Sequence, residues 1–409
     1  MEQRVSLATA MAVYIRIGLL SFGGPAGQIA LMQDEIVDRR GWVSEKEFRQ
    51  GLSVAMVLPG PEAQQLATWL GWRLHGRRGG ILAGLAFIVP GAVLMLALAW
   101  IAAARGEVPL VAALFYGIQP AVLVIVARAA ANLGRRALGG RAEALIALCA
   151  FLGIYAAGLP FPLIIAGAAL AGVLLLRPAA QETPRPAPPA RGHLLRTILP
   201  WSAGIAALWL AVRLWFGAEP FDGVAALFTS AAFVSFGGAY ALLPYVADQA
   251  VETYGWLSAA QMLNGLALAE ATPGPLILVN TYAGFFAGWS GYGGPAGLLT
   301  GTLATVYTFA PSFMLILAAA PYVGHLDRQP RLRQALAGVS AAVVGVILNL
   351  ALYLAEAALL PTGPSAPEWP KIALLAMFGA AALWRPVPMH WLVVSGALAG
   401  LALHLTGAI

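Results

Sequence analysis

LPGPEAQQ, at positions 58–65, interrupts an otherwise apolar run with two prolines around a glycine, then a glutamate and two glutamines. Proline removes a backbone donor and clashes with the preceding turn, so Pro59-Gly60-Pro61 must break any helix that contains it. In lipid every freed N–H and C=O needs a partner, so such a break survives only buried in protein or lining a cavity. It is therefore either a packing kink or a site, and the surrounding sequence weighs the two.

That sequence is membrane-grade. The 409 residues are 60% hydrophobic and 10% charged, with mean hydropathy +0.78, whereas soluble domains carry roughly 25% charged residues. Runs such as 79–104 and 161–176 approach the ~20 residues of a bilayer crossing, so the lipid bilayer is the first partner. The N-terminal stretch MEQRVSLATAMAVYIRIGLL has no compact apolar core followed by a cleavage site, and reads as a retained membrane element. The net charge of +6 comes from arginines in loops, so it reports topology and no nucleic acid is expected. The single cysteine, Cys149, excludes an intrachain disulfide and a cysteine-built metal site; a small core residue is expected there.

The break occurs twice. SFGG at 21–24 recurs at 235–238, 214 positions on, and the same spacing relates Asp34 to Asp248 and GWVS (41–44) to GWLS (255–258). It also relates Pro59-Gly60-Pro61 to Pro273-Gly274-Pro275. Beyond residues 79–80 the spacing becomes 221, where Pro90 meets Pro311 and Gly117 meets Gly338. One spacing shared by four motifs implies two homologous halves. The expected organisation is a first repeat over 1–176, a Pro-rich cytoplasmic linker over 177–193, an extra transmembrane helix over 194–217, and a second repeat over 218–409. One extra crossing between the repeats inverts the second.

The arginines agree. Loop 32–50 holds Arg39, Arg40, Lys46 and Arg49, while 246–264 holds no Lys or Arg. Arg73, Arg77 and Arg78, then Arg135, Arg136 and Arg141, likewise face Lys/Arg-free counterparts, and the bias reverses at Arg105 against Arg328, Arg331 and Arg333. Cytoplasmic loops are rich in Lys and Arg, so corresponding loops are expected on opposite faces. The fold class that follows is an all-α polytopic membrane protein of two homologous halves in inverted orientation. Broken or re-entrant helices meet at the repeat interface, the N-terminus is cytoplasmic and the C-terminus external.

Inverted repeats with discontinuous helices are the architecture of secondary transporters. The half-helix after Pro61 offers uncapped N–H groups from Glu62, Ala63 and Gln64, and its counterpart after Pro275 offers Leu276, Ile277 and Leu278. Such ends carry partial positive charge and suit an anion. Gly23, Gly24, Gly237 and Gly238 would add backbone donors at close approach. Arg16 and Arg128 are candidate forks for an oxyanion, with snorkelling to an interface as the competing reading. Gln64, Gln65, Thr68, Asn280 and Thr281 are neutral candidates for the lining. Glu62 and Glu270 flank the breaks and are candidates for carrying protons, against an N-cap role for the first and a polar loop position for the second. No phosphate-binding loop, metal-ligand cluster or nucleophile–base pair is visible, so no cofactor, metal or catalytic residue is expected.

At these residues the chain resembles the chromate ion transporter family in its long two-domain form. The resemblance rests on SFGGPAGQIALMQDEIV (21–37), GWVSEKEF (41–48) and LPGPEAQQLATWLGWRLHGRRGG (58–80). In the second half it rests on FVSFGGAYALLPYV (233–246), GWLSAAQMLNGLALAEATPGP (255–275) and AGFFAG (283–288). It implies an inner-membrane protein that expels chromate, conferring resistance, with sulfate as the chemically similar oxyanion. Motif residues carry over to Gly23, Gly24, Pro25, Pro59, Gly60, Pro61 and Glu62, and to Gly237, Gly238, Pro273, Gly274 and Pro275. The second copy departs at Ala239, Leu242 and Leu276, where the first has Pro25, Gln28 and Glu62. Voltage-driven efflux and proton antiport both remain open, as do sulfate exchange, uptake and a passive channel; a second copy of the chain is a candidate partner.

Overall fold

The structure, a computed structural model, describes residues 5–22, 24–176, 192–236, 238–322, 329–384 and 387–409. Gly23, Gly237, Arg328 and nearly all of the expected linker lie outside them. Every regular element among the described residues is helical.

The first repeat opens with α1 (Leu7–Leu20), a break at Ser21-Phe22, and α2 (Gly24–Met32), which runs into a π-helical turn, Gln33–Asp38. Then come α3 (Glu45–Val57), the Pro-Gly-Pro break, and a helix recorded as α4 (Glu62–Arg105). α4 is two arms, because His75 and Gly76 are non-helical (φ −137° and +63°). The arms fold back on each other: a Cβ added at Gly71 would sit 2.4 Å from the Gly79 carbonyl oxygen. The first arm also lies against α3, with Gly51 facing the Trp69 indole. α3 has 13 residues, which rise only ~20 Å against a hydrocarbon core of ~30 Å. α3, the break and the first arm of α4 form a helical hairpin with Pro-Gly-Pro at its tip. The second arm is followed by α5 (Pro109–Ala137), α6 (Arg141–Tyr155) and α7 (Phe161–Leu175).

α8 (His193–Phe216) follows and is long and apolar enough to cross a membrane. The second repeat then repeats the plan: α9 (Phe221–Val234), α10 (Ala239–Ala247), a π-helical turn at Asp248–Thr253, and α11 (Ala259–Ala271). A single 3-10 turn, Leu276–Leu278, leads into α12 (Val279–Tyr292), followed by α13 (Gly294–Ala319) and α14 (Pro330–Leu359). α15 (Trp369–Trp384) and α16 (Met389–Leu405) close the chain. Details recur at the sequence spacing. Ser44 and Glu47 form a capping box, as do Ser258 and Gln261. Positive φ is found at Gly24 and Gly238, Gly41 and Gly255, Gly60 and Gly274.

Among the described residues five helices are long and apolar enough to cross a membrane, and the exposed surface carries many large apolar side chains. The protein is an integral, multi-pass membrane protein. The second arm of α4 and its counterpart α13 run antiparallel, with Gly80 against Leu317, Gly84 against Phe313 and Gly301 against Leu96. One face gathers the chain start and several basic groups. There His75 Nε2 meets the Val5 carbonyl oxygen at 2.8 Å, Arg73 pairs with Glu47, and Arg77 donates to Thr197. The other end of the same arm places Trp100 against Trp289 and Gly294.

The halves are interlocked by small residues. Gly117 on α5 touches Gly396 and Gly400 on α16, and its counterpart Gly338 on α14 touches Ala168 and Gly172 on α7. Backbones approach this closely in lipid only where side chains are absent. One expectation fails: Cys149 is exposed, not in the core. It lies on a face of α6 where a small apolar thiol meets lipid at little cost.

Candidate functional site

The two hairpin tips are held by the opposite half. Gly60 N–H donates to the Ser235 carbonyl oxygen at 2.8 Å, and Gly274 N–H donates to that of Ser21 at 3.1 Å. Each Pro-Gly-Pro of one repeat thus docks on the serine that opens the SFGG of the other. Glycine is required at both tips, since φ is +128° at Gly60 and +103° at Gly274. L side chains rarely adopt such values. The tips rest on counterpart positions as well: Gly60 lies against Ser312 on α13, and Gly274 against Gly91 on α4.

Around the first tip the groups are polar and buried. Ser312 Oγ donates to Gln64 Oε1 at 2.6 Å, and Gln64 Nε2 donates to Thr68 Oγ1 at 2.8 Å. Gln65 Nε2 donates to the Pro59 carbonyl oxygen at 2.7 Å, leaving its Oε1 unpartnered. Pro61 is the N-cap of α4, with no side chain capping the helix. Glu62 is the first helical residue, and one carboxylate oxygen lies 3.6 Å from where a Cβ on Gly238 would stand. The charge-bearing group of this tip therefore faces the second SFGG.

Around the second tip the groups are largely apolar. Leu276, Ile277 and Leu278 are buried, and Leu278 packs where Gln64 stands in the first tip. The three leucine-type positions form a 3-10 turn, so the α-helix begins at Val279, later than the sequence expects. Gln28 Nε2 donates to the Gly274 carbonyl oxygen at 2.6 Å. Asn280 donates to Thr308 at 3.1 Å and Thr281 pairs with Thr305 at 2.7 Å, both toward α13.

The remaining candidates are dispersed. Arg16 is 3.9 Å from Glu35, a buried carboxylate also paired with Arg39 and Arg40. Its guanidinium is drawn to Glu35, on the π-helical turn that follows α2. Arg128 donates to the Val387 carbonyl oxygen at 2.9 Å, joining α5 to the start of α16. Glu270 is buried; one oxygen accepts from Tyr240 and the other has no partner. Among the described residues no group of His, Cys, Asp and Glu could hold a metal. A cavity of about 440 Å³ between the α6–α7 turn and α10 is lined by Asp248, Glu252 and Glu356, an acidic wall that opposes an anion.

Ser21, Ser235, Ser312, Gln28 and Tyr240 escape the sequence reading of the site. The two serines belong to SFGG itself, and Ser312 follows the duplicated proline, so register alone could have found them.

The family model described as "Chromate transporter" matches residues 8–173 and 223–401, one repeat each. The chain belongs to the chromate transporter family. Its relatives include a chromate transport protein of Pseudomonas aeruginosa, 35% identical over 359 residues, covering 84% of this chain and 80% of that protein. A probable chromate transport protein of Synechococcus elongatus is 30% identical over 97% of this chain and 95% of its own. A chromate transport protein of Cupriavidus metallidurans is 26% identical over 96% and 92%. No solved structure matches the chain. The family is one of transporters, and its two matched regions account for the duplicated motifs at the crossovers.

Proposed function

We propose that the protein is a secondary transporter that carries chromate out of the cytoplasm across the inner membrane, through an oxyanion site at the crossed hairpin tips. The observation that carries this reading is the reciprocal docking of Gly60 on Ser235 and Gly274 on Ser21. Two broken helices held at the junction of two repeats are what alternating access around a fixed site requires. The antiparallel course of α4 and α13 supports inversion of the repeats. The basic groups gathered with the chain start support a cytoplasmic N-terminus and linker and an external C-terminus. Chromate is a tetrahedral dianion, suited to uncapped N–H groups and hydroxyls. A membrane potential negative inside favours its exit by ~2.3 kcal/mol per charge per 100 mV. Glu62 beside the first tip and Glu270 behind the second are the groups through which protons would couple to the movement.

Purified protein in proteoliposomes tests this. Saturable chromate flux, stimulated by an imposed potential and competed by sulfate, is expected. Flux that rises linearly with concentration would make the protein a channel. In cells the expected outcome is lower internal chromate when the protein is present; higher internal chromate reverses the direction and makes the protein an uptake carrier.

A further inference from the structure

The two crossovers are built on one plan but are chemically unequal. Resting on the oxyanion-site reading above, we infer that only the first of them binds the anion, and that the Ser235 hydroxyl is one of its ligands. The second crossover is a structural latch.

Ser235 is fully buried, and its Oγ has no hydrogen-bond partner, although its carbonyl oxygen accepts from Gly60. A buried hydroxyl left unpaired is costly. It stands beside the uncapped start of α4, whose first arm places partial positive charge at the same tip. An oxyanion there satisfies the hydroxyl and the free N–H groups together. Gln64, Gln65 and Ser312 complete a polar wall, their own donors held by Thr68, the Pro59 carbonyl oxygen and Gln64 respectively.

Ser21, the counterpart, is already committed. Its Oγ donates to the Gly18 carbonyl oxygen at 3.1 Å and accepts from Gly274 N–H at 3.2 Å. Gln28 occupies the Gly274 carbonyl oxygen, whereas its counterpart Leu242 cannot do the same at the first tip. Where the first tip has Gln64, Gln65 and Ser312, the second has Leu278, Val279 and Gly91. No α-helix begins at Pro275, only a 3-10 turn. The serine hydroxyl is thus spent at one crossover and left free, beside unbonded helix-start N–H groups, at the other.

The test is chromate binding to the purified full chain by equilibrium dialysis, with sulfate as competitor, alongside thermal unfolding of each variant. Wild-type protein is expected to bind one chromate per chain. Ser235→Ala removes a hydroxyl that holds nothing in the fold, so unfolding should be unchanged while affinity falls about tenfold or more, the scale of a hydrogen bond to a charged group. Ser21→Ala should show the reverse, lowered stability with affinity intact in the folded fraction. Unchanged affinity in Ser235→Ala, equal losses in both variants, or two chromates per chain overturns the inference while leaving an oxyanion site in place. Absence of saturable binding to the wild type removes the site itself.

Discussion

At the scale of single residues, the tip glycines carry two demands at once, a left-handed backbone and space. A Cβ at Gly60 would stand 2.5 Å from Gln65 Nε2 and 2.7 Å from Ser312 Oγ. At Gly274 the nearest atom would be Leu278 Cδ1, at 3.0 Å, the far end of a flexible side chain. Both replacements by alanine meet the backbone penalty of ~1–2 kcal/mol, but only Gly60→Ala also collides with the polar wall. Gly60→Ala is expected to abolish chromate flux in proteoliposomes, and Gly274→Ala to lower thermal stability while keeping measurable flux. Equal flux in the two would show that the tips are equivalent. The sequence made these glycines visible because they are duplicated, but not what they touch. The arginines were less legible: residue type suggested oxyanion forks at Arg16 and Arg128, whereas the first is drawn to the buried Glu35 and the second to a carbonyl oxygen. Nothing in a linear sequence places a competing carboxylate nineteen positions away.

Helical elements were the most legible level. Proline pairs and short helix lengths require fold-backs, and the shared spacing predicted that whatever one half does the other repeats. The break at His75–Gly76 falls inside the basic junction that Arg73, Arg77 and Arg78 mark in the sequence. The open end of the first hairpin is closed by Glu47, whose carboxylate accepts from Ser44 N–H at 3.1 Å and from Arg73 Nε at 2.9 Å. The Ser44 side-chain hydrogen bond is the main reason its carboxyl is held below the usual carboxylate range, with partial burial opposing and Arg73 assisting. A depressed folded-state value means that the stabilisation is present above the ordinary value of about 4.3. It is lost as pH falls through the lower folded value. Gln261 fills the same position in the second hairpin and does not titrate. Hydrogen exchange of residues 44–48 is therefore expected to accelerate on acidification into and below that range, while residues 258–262 stay protected. Parallel behaviour of the two segments would contradict the assignment.

For the molecule as a whole, the repeats trade partners. α5 packs on α16 and α14 packs on α7 through opposed glycines, and each tip is fixed by the other repeat. Duplication told of two copies; it could not tell that they interlock, since a repeat of sequence is silent about which copy each surface meets. If the chain is expressed as two pieces divided near residue 185, the pieces are expected to co-purify from the membrane and restore chromate flux. Recovery of separate, folded pieces would contradict the interlock. The same trade has a consequence for any protein that carries only one such repeat. Its Gly60-type amide and its Ser21-type carbonyl would each lack a mate inside the bilayer, a cost of about 1–3 kcal/mol apiece. Neither group can reach the other within one copy, so the only cure is a twin molecule. Joining the copies into one chain gives every newly made molecule its mate, free of any dependence on how crowded the membrane is.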